Sequence, residues 1–279
     1  MNPVLKPDLI TDVRELLQFG FMVNALAAGT IVAVLAAVVG WFVVLRRQAF
    51  AAHTLSVMAF PGAAGASLIG IPVALGYYVA CLLAAAVVGP TANPRQRWVG
   101  SESATIGTVQ TVGLAAGFLF LSLNQALLGE PDSLLFGTFL GITHGQVLIL
   151  LAIALASIAA LAVVGRPLRF VTVDRELARA SGVPVRRVEA IFVLVLTLAV
   201  AATSQITGAL LVFALLVAPP ACALRITSRP LPGLLLSITL ALIIVWLGLA
   251  LAYFTVYPAG FYVTTLAMGL FVLTRVVWR

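Results

Sequence analysis

The residue whose chemistry stands out most in this chain is His53, an ionisable ring at the start of an apolar stretch. It follows the basic pair Arg46–Arg47 and precedes Pro61, a helix breaker, within the segment RRQAFAAHTLSVMAFPG. An ionisable side chain in a membrane span is by default a functional hypothesis, and imidazole binds zinc, copper, iron and nickel. Two interpretations stay open. His53 is either a metal ligand that lines a path or a structural histidine that hydrogen-bonds a carbonyl near the membrane edge.

The composition identifies the environment of this histidine. Of the 279 residues, 62% are hydrophobic and 9% are charged, and the mean hydropathy is +1.17, whereas a soluble domain carries about 25% charged residues. The chain is therefore expected to be an integral membrane protein with the lipid bilayer as its solvent. Its first residues, MNPVLKPDLITDVRELLQFG, do not resemble a signal peptide, because acidic and polar residues precede the first apolar run.

Helices must position His53, because a lipid core of about 30 Å is crossed by about 20 helical residues. The stretch 131–143 is apolar but too short to span, and it is expected to form a short helix at the outer face. Tight re-entries are expected at GIP, after the second span, and at TSQIT, after the sixth. The predicted fold class is an all-α integral membrane protein with nine transmembrane helices, near 20–45, 53–70, 72–89, 104–123, 146–165, 188–204, 206–224, 233–255 and 258–277.

The positions of the basic residues predict the orientation of these spans. Of the 16 Lys and Arg residues, all but Lys6 and Arg14 fall on one side if the N-terminus is outside. Cytoplasmic loops carry such an excess of basic residues. We therefore expect an extracytoplasmic tail over 1–19, a polytopic domain over 20–279, and a cytoplasmic C-terminus. The formal charge of +7 is thus explained by basic residues in cytoplasmic loops, and no nucleic-acid partner is expected.

The longest inner loop, 166–187, carries the signals of a short helix. Asp174 can cap its N-terminus, Glu176 lies in the first turn, Gly182 can close the C-terminus, and Pro184 prevents continuation. A helix of about two turns is marginal in water by itself. It therefore needs a docking surface, and two alternatives remain: the membrane face of its own chain, or a cleft on a cytoplasmic partner.

No catalytic motif accompanies these features. A P-loop requires a lysine that reaches the phosphates, and the single lysine, Lys6, lies in the N-terminal tail. ATP hydrolysis would then occur on another chain, and this chain is not expected to be an enzyme. Cys81 and Cys222 both lie in apolar runs, and we expect small buried residues rather than a disulfide or a metal pair.

Small residues predict close helix packing. Gly113 and Gly117 form a G-x-x-x-G pair, and the first span carries small residues at four-residue spacing. Helices in lipid associate through such small residues. The pattern is compatible with packing inside one bundle and, as the alternative, with homodimerisation.

Several segments together resemble the permease subunits of bacterial ABC importers for zinc, manganese and iron. The resemblance implies a homodimer or pseudo-dimer in the cytoplasmic membrane, two cytoplasmic ATPase subunits, an outer solute-binding protein, and no permanently bound cofactor. The matching segments, in family order, are GWFVVLRRQAFAAHTLSVMAFPGAA, ESATIGTV, SLLFGTFLGIT, VDRELARASGVPVRRVE, TGALLVFALLVAPPACALR and YPAGFYVTTLAMGLF.

The same resemblance implies a role for the 166–187 loop. The helix around Asp174–Gly182 corresponds to the family's coupling helix, which transmits closure of the ATPase subunits. The residues expected to serve ATPase coupling are Asp174, Arg175, Glu176, Leu177, Ala178 and Gly182.

The resemblance also shows a departure at His53. In many relatives this segment resembles R-R-M-A-L-x-G-D-A-L-S-H-A-x-L-P-G, whose Asp and His share one helix face and can bind a metal ion. This chain has His53 at the Asp position and Val57 at the His position. The expected metal or path-lining residues are His53, Ser56, Met58 and His144. Two copies would bring two imidazoles together; for His144, reception of a metal from the binding protein competes with a solvated loop histidine.

The expected cargo is a divalent transition metal, with zinc first and manganese second, because manganese prefers the carboxylate that is missing here. A chelated metal or another small solute on the same architecture is the alternative. A secondary transporter is the other alternative, although such a protein would need intramembrane acids for proton or sodium coupling and the spans lack interior Asp and Glu. Pro61, Pro219 and Pro220 are expected to kink or end their helices, either as hinges of transport or as static bends.

Overall fold

The computed structural model describes residues 18–91, 101–124, 141–255 and 257–277, and these ranges form helices without a β-strand. Nine of the described helices have 18 residues or more, and one is short. In chain order they are α1 (Gly20–Leu45), α2 (Ala49–Leu68), α3 (Val73–Thr91), α4 (Ser101–Leu123), α5 (His144–Val173), α6 (Arg175–Ala180), α7 (Val185–Thr207), α8 (Ala209–Ile226), α9 (Pro230–Phe254) and α10 (Ala259–Val277).

The first helix, α1, lies at the centre of the molecule. It packs against α5, α7, α8 and α9, and its residues from Val32 to Val43 are nearly all buried. A second group forms around α2, which packs against α3 and α4, while α8 contacts both α1 and α2. The helix that carries His53 is therefore surrounded by protein, and α8 joins it to the central helix.

The expectation of an all-helical membrane protein is confirmed in its coarse form. Among the described residues, α1, α4, α5, α9 and α10 are long and apolar enough to cross a membrane by length and composition. Shorter apolar stretches occur at Val73–Val88 and Leu211–Ile226. The helices α2 and α7 carry more small and polar side chains, such as Thr54 and Ser204, which are buried against protein. The number of nine spans remains a prediction.

Two predicted boundaries are wrong. The span expected at 146–165 continues through Pro167 to Val173, so the first residues of the 166–187 loop are helical. The sequence TSQIT, expected to separate two spans, lies inside α7, and the break falls at Gly208 with φ 78°. Only glycine adopts this backbone conformation without strain, whereas the hydroxyls of Thr203 and Thr207 bond backbone carbonyls of their own chain.

The prolines do not end their helices. Pro61 lies inside α2, and Pro219 and Pro220 lie inside α8, which runs from Ala209 to Ile226. A proline lacks the N–H that would bond the carbonyl four residues earlier. For Pro220 that carbonyl belongs to Leu216, and Gly40 of α1 packs directly against it, so that a Cβ atom at position 40 would overlap the oxygen.

The small-residue pattern serves packing within the chain. An added Cβ at Gly113 would overlap Met58, and one at Gly117 would overlap Phe60, so α4 lies directly on α2. Gly62 of α2 and Gly76 of α3 face each other so closely that a Cβ on either would overlap the other's carbonyl. These glycines are used by one bundle, as the first of the two alternatives predicted.

The predicted outer-face helix at 131–143 lies outside the described residues except for its last three positions. Ile142 is buried there, and its carbonyl accepts a hydrogen bond from Asn24 near the start of α1 at 3.2 Å. The end of this segment therefore lies at the α1 N-terminal end of the bundle.

Candidate functional site

His53 lies in the first turns of α2, half-buried between two other helices. Its ring packs on Phe213 of α8, with ring centroids 4.6 Å apart. On the α4 side, the amide nitrogen of Gln110 lies 3.4 Å from Nε2 of His53. The imidazole thus occupies the meeting point of α2, α4 and α8, close to the end of α1 that carries Arg46.

The hydrogen bonds around His53 leave one ring nitrogen unused. Gln110 Oε1 accepts a hydrogen bond from Thr54 at 3.3 Å, while Nδ1 of His53 is buried without a partner in the described part of the chain. If the amide is turned so that its oxygen faces Nε2–H, Nδ1 presents a lone pair. Metal-bound histidines commonly donate their second ring N–H to such an outer partner. In that orientation the site supplies one neutral imidazole donor with its supporting amide.

The other residues predicted for α2 point elsewhere. The Ser56 hydroxyl donates to the carbonyl of His53 at 2.8 Å and is buried, so it is occupied by its own helix. Val57 is also buried. Met58 turns to Gly113 and lines an apolar groove of about 540 Å³ between α2, α3 and α4. The structure does not bring these side chains to the imidazole.

His144 lies far from His53. It is the exposed first residue of α5, whose N-terminus is capped by Thr143 in a capping box with Gln146. The neighbouring Ile142 contacts the start of α1, whereas His53 follows the end of α1, and a helix of that length spans roughly 35–40 Å. The described ranges contain no group of three His, Cys, Asp or Glu residues that could hold a metal. Cys81 and Cys222 are free and buried, as expected.

The short helix predicted in the long loop is present as α6, Arg175–Ala180. Asp174 Oδ1 accepts a hydrogen bond from the backbone N–H of Leu177 at 2.9 Å and so caps the N-terminus. At the other end, Gly182 has φ 82° and its N–H bonds the Arg179 carbonyl, while Val183 bonds that of Ala178. These two bonds are those of a Schellman motif. Both capping predictions, Asp174 and Gly182, are confirmed.

One side of the helix α6 docks on its own chain. Ala178 is fully buried, and α6 contacts α5 and α7 of its own chain. Its opposite side stays open, because Leu177 is 54% exposed and Glu176 and Arg179 are exposed beside it. This side of α6 is therefore left uncovered by the described part of the chain.

An ion-pair network joins α6 to the core. Glu189 of α7 lies 2.8 Å from Arg175, at the start of α6, and 3.5 Å from Arg46, at the end of α1. Arg46 also donates to Thr172 at 3.3 Å and lies over the ring of Phe192, 5.2 Å from its centroid. Burial lowers the pKa of the Arg46 guanidinium, and the Glu189 carboxylate opposes this effect. The network links α1, α6 and α7 near the same membrane edge as His53.

The sequence analysis missed Gln110, Phe213 and Glu189. Gln110 had a signal, since it is the one amide within the apolar run ATIGTVQTVGLAAGF. Phe213 had none, because one aromatic in an apolar helix resembles any other. Glu189 follows a basic pair, and this position alone does not say which arginine it meets.

Comparison with known proteins shows the family to which this architecture belongs. The chain matches the model of the ABC 3 transport family over residues 18–277. It is 28% identical over 216 residues to the manganese transport system membrane protein MntC of Halalkalibacterium halodurans, covering 77% of this chain and 73% of that protein. It is 30% identical over 249 residues to the chelated iron transport system membrane protein YfeC of Yersinia pestis, covering 89% and 83%.

A solved structure agrees with the sequence comparisons. PsaBC from Streptococcus pneumoniae, in complex with Fab, superimposes with a TM-score of 0.84 at 25% identity, covering 96% of this chain and 95% of that chain. The chain belongs to the ABC 3 transport family, as the resemblance to permease subunits of bacterial ABC metal-ion importers predicted.

Proposed function

We propose that this chain is the membrane-spanning permease subunit of an ATP-driven importer for a divalent transition metal. The observation that carries the proposal is the family match over residues 18–277, nearly the whole chain. In this proposal nine helices span the cytoplasmic membrane of a bacterium, with the N-terminus outside and the C-terminus inside. Two copies pair with two ATPase subunits, and an outer binding protein delivers the cargo.

His53 lines the path of the metal in this proposal. Its support is the unused Nδ1 atom, the outer partner Gln110, and the absence of a three-ligand site within the described residues of one chain. One imidazole per chain is a weak site, and two copies supply two. Weak binding suits transport, because the cargo must leave again.

The helix α6 transmits closure of the ATPase subunits. Its support is the exposed Leu177 on one side and, on the other, the contact of Arg175 with Glu189, which also meets Arg46 at the end of α1. A push on α6 therefore reaches α1 and α7 through charged contacts. ATP is hydrolysed on the partner, and this chain contributes no reactive group.

The ligand chemistry and the relatives favour different cargoes. An imidazole without a carboxylate favours zinc over manganese, whereas the relatives are named for manganese and chelated iron. A chelated metal is the second candidate. The observation in its favour is the buried Val57 at the position where relatives carry a ligand, since a chelate brings its own donors.

The test is the metal content of cells grown with limiting metal. Zinc, manganese, iron and copper are measured by elemental mass spectrometry in the wild type, a deletion strain, and strains complemented with His53→Ala or with the control Thr239→Ala, whose exposed hydroxyl bonds its own helix at Leu235. We expect a selective loss of one metal on deletion, reproduced by His53→Ala at normal expression. Thr239→Ala restores uptake.

Each result decides a separate part of the proposal. Unchanged content of all four metals in the deletion strain would overturn metal import. Loss on deletion with full rescue by His53→Ala would retain the importer and make His53 a structural histidine. Loss that appears only when the metal is supplied as a chelate identifies the second candidate.

A further inference from the structure

A groove between α1, α5 and α9 is separate from the His53 site. It has a volume of about 520 Å³, within the range of ligand pockets. Its floor is α1, with Val34 and Trp41, and its walls are α5 and α9, with Ala162 and Leu234. The helices α5 and α9 both pack on α1, and the groove runs along α1 between them.

The groove is apolar along its length and basic at one end. Arg166 and Arg169, three residues apart on α5, line that end, and both are exposed. Residues three apart share one face of a helix. The Arg169 Nε atom donates to the Gly165 carbonyl at 3.3 Å, which leaves its terminal nitrogens available. In the described ranges neither arginine forms an ion pair with an acidic side chain.

The basic end lies at the membrane edge. The arginines are in the last turns of α5, a 30-residue helix about 45 Å long, which exceeds a lipid core of about 30 Å. Pro230, the first residue of α9, lines the same end of the groove. In a bilayer, phospholipid phosphates lie at the edge of the lipid core and the acyl chains extend from them into it.

We propose that this groove binds one anionic phospholipid, with its phosphate on Arg166 and Arg169 and an acyl chain along α1 between α5 and α9. Basic pockets between membrane helices recognise anionic headgroups in this way. The assignment to the cytoplasmic leaflet rests on the orientation given under Proposed function. A second copy of the chain is the less favourable occupant, because a symmetric contact of this groove in two copies would bring their arginines together with no acidic side chain among the residues that line it.

The test is native mass spectrometry of the full chain, delipidated in detergent and titrated with phosphatidylglycerol or phosphatidylcholine of identical acyl chains. We expect one phosphatidylglycerol per chain and weaker binding of phosphatidylcholine. The double variant Arg166→Gln/Arg169→Gln binds phosphatidylglycerol about 30-fold more weakly, since each basic residue near a membrane surface contributes about fivefold. Arg186→Gln/Arg187→Gln, which removes two exposed arginines outside the groove, retains wild-type binding.

A third variant separates the groove from the charges. Ala162→Phe places a ring in the groove from an exposed position and leaves both arginines in place, and it is expected to displace the lipid. Wild-type affinity in the double variant, or equal affinity for the two lipids, would overturn the proposal. So would Ala162→Phe converting a dimer to monomers without loss of lipid, which would identify a second copy in the groove. The lipid titration contains neither metal nor ATP. A negative result would therefore refute lipid binding without bearing on the proposal of metal import.

Discussion

At the scale of single residues, the environment of His53 combines an apolar contact with a polar one. Phe213 covers one side of the ring, and Gln110 reaches Nε2 from another helix. With the amide turned so that its oxygen faces Nε2–H, its nitrogen donates to the Thr54 hydroxyl, which itself donates to the Phe50 carbonyl, and this contact restrains the amide. A ring held in this way has a defined orientation, and its second nitrogen, Nδ1, is left for a ligand.

Replacing Gln110 by leucine is expected to weaken metal uptake while leaving the fold intact. Leucine retains the volume but removes the partner that orients the imidazole, and loss of such an outer partner lowers metal affinity by about 10- to 100-fold. The measurement is initial uptake of radioactive metal against its concentration, where the apparent KM rises. Thr111→Val is the matched control, since the Thr111 hydroxyl is exposed and bonds only its own helix at Gly107. Unchanged KM in Gln110→Leu would contradict a ligand role supported by the amide.

At the scale of elements, the junction of α1, α6 and α7 depends on one carboxylate. Glu189 meets Arg175 and Arg46, and the Arg46 side chain is only 9% exposed. Glu189→Gln keeps the shape and removes the charge. We expect a loss of about 1.5–3 kcal/mol of stability, as for a hydrogen bond to a charged group, and weaker stimulation of the ATPase by cargo. The measurements are the thermal midpoint in detergent and ATP hydrolysis by the assembled transporter.

The control for Glu189 is a second carboxylate in the same region. Glu176→Gln removes an ion pair with Arg179 at 3.9 Å, in which the side chains are 83% and 47% exposed. Such exposed pairs contribute less than about 1 kcal/mol. The comparison concerns the thermal midpoint, because Glu176 is itself among the residues expected to serve ATPase coupling. Equal losses of stability in the two variants would refute the special position of Glu189.

The contact of α1 with α8 gives a second prediction at this scale. Gly40→Ala is expected to destabilise the bundle by about 2 kcal/mol or more, because the added methyl overlaps the Leu216 carbonyl that Pro220 leaves unbonded. Gly269→Ala, inside α10 with no atom within 4 Å of the added methyl, is the control. It is expected to be neutral or slightly stabilising. Thermal unfolding of both variants in detergent tests this, and a Gly40→Ala midpoint equal to that of the wild type would contradict the close approach.

At the scale of the whole molecule, the proposed orientation places the two ends of the bundle on opposite sides of the membrane. Asn24 and Ile142 lie at one end, and Arg46 and α6 at the other. The exposed residues His144 and Ser181 are suited to labelling, since each belongs to one end.

His144→Cys is expected to react with a membrane-impermeant maleimide added to intact spheroplasts, and Ser181→Cys only in inside-out vesicles. The wild-type chain is the control, because Cys81 and Cys222 are buried and should label weakly in both preparations. The reverse pattern would invert the orientation and place α6 outside. Labelling of both variants in both preparations would contradict a membrane barrier between the two ends.

The local features of the fold could be predicted from the sequence. Apolar length predicted the long helices, and the Asp174 cap and the Gly182 turn predicted α6, because capping depends on residues that are neighbours along the chain. The sequence also predicted that the prolines would disturb their helices, although it did not show whether each helix bends at its proline or ends there. The family followed from motifs that are contiguous in sequence.

Which helix faces meet is visible only in the folded chain. In a membrane protein both lipid and protein interior are apolar, so periodicity does not separate a buried face from a lipid-facing one. The meeting of His53 with Gln110, of Gly40 with Leu216 and of Arg46 with Glu189 joins residues far apart in the chain. Those contacts arise from how α1, α2, α4, α7 and α8 pack, and no local signal in the sequence encodes them.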